Sequence, residues 1–113
     1  MADCVFCKII NKEIPSTRVY EDERVIAIRD LSPQAPEHIL FIPKEHIACA
    51  DEIDETNCDI VAHIFTIIPQ IAKELGLKNG YRIVNNCGED GGQTVKHLHF
   101  HLLGGKKLDV TMA

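Results

Sequence analysis

Three observations predict an α+β fold built on an antiparallel sheet. Stretches with strand character are joined mostly by short loops, and one long helix interrupts them. Near the C-terminus, His97, His99 and His101 alternate with Leu98, Phe100 and Leu102, the pattern of a strand with one apolar face and one imidazole face. With 113 residues and 45% hydrophobic content, the chain is expected to form one domain, residues 1–113, with a core of its own.

The elements follow in order. Cys7 to Asn11 reads as a short helix, stopped by the extended preference that Pro15 imposes on Ile14. Val19–Tyr20 and Val25–Arg29 form a hairpin around the acidic turn Glu21-Asp22-Glu23. Ser32-Pro33-Gln34-Ala35-Pro36 is a stiff loop leading into a buried strand, His38 to Ile42, that ends at Pro43. Ile60, Ile64, Ile67, Ile68, Ile71 and Leu75 recur at helical spacing and Gly76 supplies a stop. Pro69 lies inside that helix and predicts a kink or a broken first half. Strands at Tyr81–Asn86 and His97–Leu103 complete the sheet. The glycine-rich loop 87–94 between them is suited to bringing backbone N–H groups to an anion.

Composition excludes several function classes. The formal charge is −5 without a Lys/Arg run, which argues against a duplex nucleic-acid partner or a membrane surface. Met1-Ala2-Asp3-Cys4 has no leader character and no apolar run approaches the ~20 residues that span a bilayer, so a cytoplasmic protein is expected. Five cysteines then read as reduced thiols or metal ligands. On a strand rising about 3.3 Å per residue, successive histidines of the triad sit roughly 7 Å apart and the outer two roughly 13 Å. One metal cannot take all three, so their tasks differ.

The run His97 to Leu103, together with Ser32-Pro33-Gln34-Ala35-Pro36-Glu37-His38 and Gly91-Gly92-Gln93-Thr94-Val95, closely resembles the histidine triad (HIT) family, nearest its Hint-like nucleotide-binding branch. The resemblance implies a five-stranded antiparallel sheet with two helices and a homodimer that joins the sheets. It also implies binding of purine nucleoside monophosphates such as AMP and GMP, and phosphoramidase activity at the α-phosphorus. By position in the family motifs, His99 is the expected nucleophile, His101 a phosphate-contacting histidine and His38 a proton relay. Thr94 stands where serine is usual. Asp30 matches the ribose carboxylate and Asn86 a phosphate or ribose contact. Gln93 and Val95 flank the nucleotide, while Val5, Phe6, Ile9, Ile14, Ile28 and Leu31 correspond to the base pocket. Ile28 replaces an aromatic, and the C-terminus lacks a tryptophan-containing tail, both departures from some relatives.

Cys4-Val5-Phe6-Cys7 is a C-x2-C half-signature shared by zinc and redox sites. The resemblance to bacterial zinc-containing members adds His46 and His97, which would close a structural Cys2His2 zinc site. Cys49, Cys58 and Cys87 lack ligand spacing and read as packing or exposed thiols. His63 falls on the polar side of the long helix, and Asp51, Glu52, Asp54 and Glu55 read as a solvated cluster at a helix start. Two function classes follow: a nucleotidyl hydrolase working through a covalent histidine, or a nucleotide-binding scaffold with incidental turnover.

Overall fold

The computed structural model describes residues Cys4 to Met112; Met1 to Asp3, on which the leader reading partly rests, and Ala113 lie outside the described residues. Five strands form one antiparallel sheet: β1 (Arg18–Glu21), β2 (Val25–Arg29), β3 (Glu37–Pro43), β4 (Arg82–Val84) and β5 (Phe100–Gly104), in the order β1-β2-β3-β5-β4. Helix α1 (Val5–Ile10) precedes the sheet and α2 (Asp59–Glu74) connects β3 to β4, with a short 3-10 turn at Ala50–Glu52 before it.

The two-residue period of the strands sorts the apolar residues onto two faces. Val25 and Ala27 of β2, Ile39 and Phe41 of β3, and Phe100 and Leu102 of β5 share a core with Ile60, Ile64, Ile67, Ile68 and Ile71 of α2. Their neighbours Ile26, Ile28, Leu40 and Ile42 pack on the other face against Phe6 and Ile9 of α1. His38 and Asp30 share the parity of this second set, and His101 is the cross-strand partner of Leu40. The imidazoles therefore lie on the α1 face, while α2 packs on the reverse.

Helix α2 runs through Pro69 as one element of 16 residues, so the expected break does not occur. Pro69 is solvent-exposed and the helix is anchored on both sides of it by buried isoleucines, which offset the missing backbone bond. Its end is as expected: Gly76 takes φ of 77°, Gly76 N–H donates to Lys73 O and Leu77 N–H to Ala72 O, a Schellman closure.

The triad segment departs from expectation. The strand begins at Phe100 rather than at His97, and β4 spans only Arg82–Val84. Residues 97–99 are held by other bonds: His97 N–H donates to Val95 O, Leu98 N–H to Ile47 O at 2.6 Å, and Asn85 Nδ2 to His99 O at 2.9 Å. His97, Leu98 and His99 are all buried, so the alternating exposure of a strand starts only after them. Among the described residues no helix is long and apolar enough to cross a membrane.

Candidate active site and metal centre

His38 enters the site from β3. Gln34 N–H donates to His38 Nδ1 at 3.0 Å, and since a backbone amide can only donate, the proton of neutral His38 sits on Nε2. That Nε2–H donates to His101 Nδ1 at 2.8 Å, which in turn leaves the proton of neutral His101 on its own Nε2. On His99, Nδ1–H donates to the His97 carbonyl at 2.7 Å, so Nε2 carries the free lone pair. The His99 and His101 ring centroids are 5.0 Å apart, and Phe6 meets the His99 ring edge-on at 4.9 Å.

Burial favours the neutral rings. It lowers the pKa of His38, His97 and His99, with the Asp30 carboxylate opposing at His38 and His99. His101 falls furthest, to about 4, because burial is reinforced by the neighbouring His99 and His38. The result is a set of uncharged imidazoles at neutral pH, with one acceptor nitrogen and one N–H made available by the tautomers.

The other expected nucleotide contacts distribute less simply. Phe6, Ile9 and Ile28 are buried together, with Ile14 and Val95 packed at their margin. Leu31 is 93% exposed and Val5 is also exposed, so the structure leaves these two outside the packed cluster. Asp30 accepts the Ser32 N–H through Oδ1, and its Oδ2 lies 3.6 Å from His38 Nε2. Thr94 is exposed at the end of the glycine-rich loop.

That loop is more closed than the sequence suggests. The amides of Gly88, Gly92 and Gln93 donate within it, to Gln93 Oε1, Glu89 O and Gly88 O, and so do not present themselves to an anion. Asn86 Nδ2 donates to Gly91 O at 2.8 Å. Gln93 receives a structural task in place of the expected direct contact: its Nε2 donates to Ala48 O and Val95 O while its Oε1 accepts from Gly88. A Cβ on Gly91 would stand 2.4 Å from Cys87 O, so only glycine allows this turn.

Sequence reasoning missed Asn85, whose amide fixes the His99 carbonyl, and the Gln34 amide, which sets the His38 tautomer. The only trace of the first is an Asn-Asn pair at a strand end; a backbone amide leaves no trace at all.

Beside the triad, Cys4 Sγ, Cys7 Sγ, one nitrogen of His46 and one of His97 all lie within 4.8 Å of one another. His97 Nε2–H donates to Pro43 O at 2.8 Å, which turns the Nδ1 lone pair toward Cys4 Sγ at 3.3 Å and Cys7 Sγ at 3.6 Å. His46 Nδ1 is 3.4 Å from Cys7 Sγ. Two thiols and two imidazoles with lone pairs converging, one ring locked by a backbone carbonyl, form a donor set that fits a tetrahedral thiophilic cation. Burial and the adjacent Cys4 raise the Cys7 thiol pKa, a penalty that a bound cation would reverse.

The HIT domain model matches residues 11–108. The fold superimposes on a HIT family hydrolase from Clostridium thermocellum with a TM-score of 0.97 and 53% identity, covering 100% of this chain and 99% of that one. A histidine triad nucleotide-binding protein from Candida albicans gives a TM-score of 0.87 at 34% identity, with 98% and 83% covered. A 14 kDa zinc-binding protein from Zea mays is 48% identical over 107 residues, 93% of this chain and 84% of that protein. A domain match over most of the chain, a matching fold and a triad whose rings meet in one site together place this chain in the HIT domain family, among proteins of which several are hydrolases.

Proposed function

We propose that the protein hydrolyses purine nucleoside 5'-phosphoramidates at the P–N bond, through a covalent nucleotidyl-His99 intermediate. The observation that carries this reading is the tautomer chain from Gln34 through His38 to His101, set beside a His99 whose Nε2 is unprotonated. In the first step His99 Nε2 forms a bond to the α-phosphorus as the P–N bond breaks. The leaving amine takes the proton from His101 Nε2, and His38 Nε2–H replaces it through His101 Nδ1. Water then displaces His99, giving the nucleoside monophosphate.

Around that chemistry, Asp30 serves the ribose hydroxyls, Thr94 and Asn86 the phosphate, and Val5, Phe6, Ile9, Ile14, Ile28, Leu31 and Val95 the flat base. Gln93 acts by holding the loop that carries Thr94. Cys4, Cys7, His46 and His97 would hold zinc, which supplies a structural clamp and no chemistry at phosphorus. Reduced thiols of this kind suit a cytoplasmic protein. The homodimer reading is supported by the β4 edge strand, with Tyr81 exposed next to it, and by Phe65 of α2, which is 44% exposed.

The competing reading is a nucleotide-binding scaffold, which has no need of an unprotonated His99 Nε2. Rapid quench of the protein with an adenosine phosphoramidate, followed by peptide mass analysis, should place an AMP adduct on His99. His99→Ala should lose several orders of magnitude in turnover while AMP binding persists. Near-normal turnover in that variant, or an adduct confined to another residue, would reject the mechanism.

A further inference from the structure

We propose a second thiophilic metal site at Cys49, Asp51 and Cys87, separate from the Cys4–Cys7 cluster. One ligand atom from each of these residues lies within 4.8 Å of the other two, although the two cysteines belong to distant segments. Cys49 precedes the 3-10 turn that carries Asp51, and Cys87 opens the glycine-rich loop.

The convergence is built into the fold by one side chain. Gln93 Nε2 donates to the carbonyl of Ala48, the residue before Cys49, at 2.8 Å. Its Oε1 accepts the N–H of Gly88, the residue after Cys87, at 3.0 Å. A single amide thus ties together the backbones flanking both thiols. The close approach of Gly91 to Cys87 O fixes the Cys87 backbone further. Both sulfurs are partly buried and Asp51 is exposed, so the site is preformed and open to solution.

Two sulfurs and one carboxylate oxygen select a borderline or soft divalent cation such as zinc or cadmium over magnesium or calcium, which prefer oxygen alone. Three protein donors leave a fourth position for water or an anion. At Cys49 the thiol pKa is pulled down by the Asp51 amide but raised overall by burial and by Cys87 beside it. A divalent cation removes this conflict: each thiol loses its proton to solvent and two S–metal bonds form. Because Cys87 begins the loop that ends at Thr94, metal uptake would also stiffen that loop.

The test is a metal count on the folded protein, under argon with a phosphine reductant, after exposure to zinc and then cadmium and removal of excess by gel filtration. Wild type should retain one more equivalent of total metal per chain than Cys87→Ser or Cys49→Ser, whatever the Cys4 cluster holds. Asp51→Asn should weaken that equivalent without abolishing it. Should the cysteine variants fail to fold, cadmium NMR of wild type decides: a resonance with mixed sulfur and oxygen ligation, besides any from a Cys2His2 site, supports the proposal. Equal metal content in wild type and Cys87→Ser overturns it. So does a Cys49/Cys87 pair that closes to a disulfide in air yet takes up no cadmium when reduced.

Discussion

His101 is the residue on which charge state and chemistry depend together. Its Nδ1 accepts from His38 only while the ring is neutral, and burial with two imidazole neighbours keeps it neutral down to about 4. As pH falls through that value the added proton occupies Nδ1 and severs the relay. The acid limb of kcat/KM for a phosphoramidate should therefore fall well below the ordinary histidine range of about 6.5. Asp30 raises the His101 pKa, so Asp30→Asn should move this limb to still lower pH. The same variant should raise KM for ribonucleotides and reduce the preference over deoxyribonucleotides. A limb that stays in place would break the link between Asp30 and the relay. Stability follows the same sign. The unfolded ring binds its proton near 6.5 and the folded ring does not, so this contribution is complete above 6.5 and is lost as pH falls toward 4.

At the scale of elements, the β1–β2 turn shows what sequence patterning conveys and what it omits. The hairpin was legible from two apolar runs, yet its turn lacks the usual residues because Asp22 organises it instead. Asp22 Oδ1 accepts the N–H groups of Arg24 at 2.7 Å and Val25 at 2.9 Å, and Oδ2 accepts from Tyr20 and His63, each at 2.7 Å. Partial burial opposes ionisation, but these four donors win and hold the carboxyl well below the usual carboxylate range. His63, on the polar flank of α2 as its spacing required, is thus a tertiary tether. Asp22→Ala should cost about 2 kcal/mol in denaturant unfolding, and this contribution should be present above pH ~4 and decline below it. Period-two and helical spacings were readable because burial imposes them on every residue of an element. The start of β5 was misread because Asn85, Pro43 and Ile47, remote in sequence, capture the bonds of residues 97–99 before the ladder begins. The triad and the Cys2His2 set were legible through family motifs; the Gln93 bridge and the Cys49/Cys87 approach depend on how two loops meet, which no local pattern records.

For the molecule as a whole, the sheet has its large core under α2, while the α1 face carries a smaller apolar cluster beside the chemistry. A six-residue helix is too short to hold itself, and α1 depends on its ends. Cys4 Sγ accepts the Cys7 N–H at the start, and Arg18 Nη2 donates to Ile9 O at 2.6 Å near the finish. The proposed zinc joins that start to His46 and His97 on the sheet side. If the reading is right, sedimentation should show two chains at micromolar concentration, and removing metal with a chelator should lower Tm without dissolving the α2 core. Cys7→Ser should act similarly, at roughly 4 kcal/mol. The kinetic consequence is more specific than a general loss of fold. Phe6 and Ile9 ride on α1 and contact the proposed base pocket, so KM should rise when the clamp is lost. The His99 Nδ1 bond to the His97 carbonyl, however, is also supported by Asn85 on the neighbouring His99 carbonyl, and the His38–His101 pair lies on β3 and β5, away from the clamp. The metal-free protein should consequently keep most of its kcat at saturating substrate while KM increases. A collapse of kcat with unchanged KM would place the metal in the chemistry, and unaltered Tm would remove its structural role.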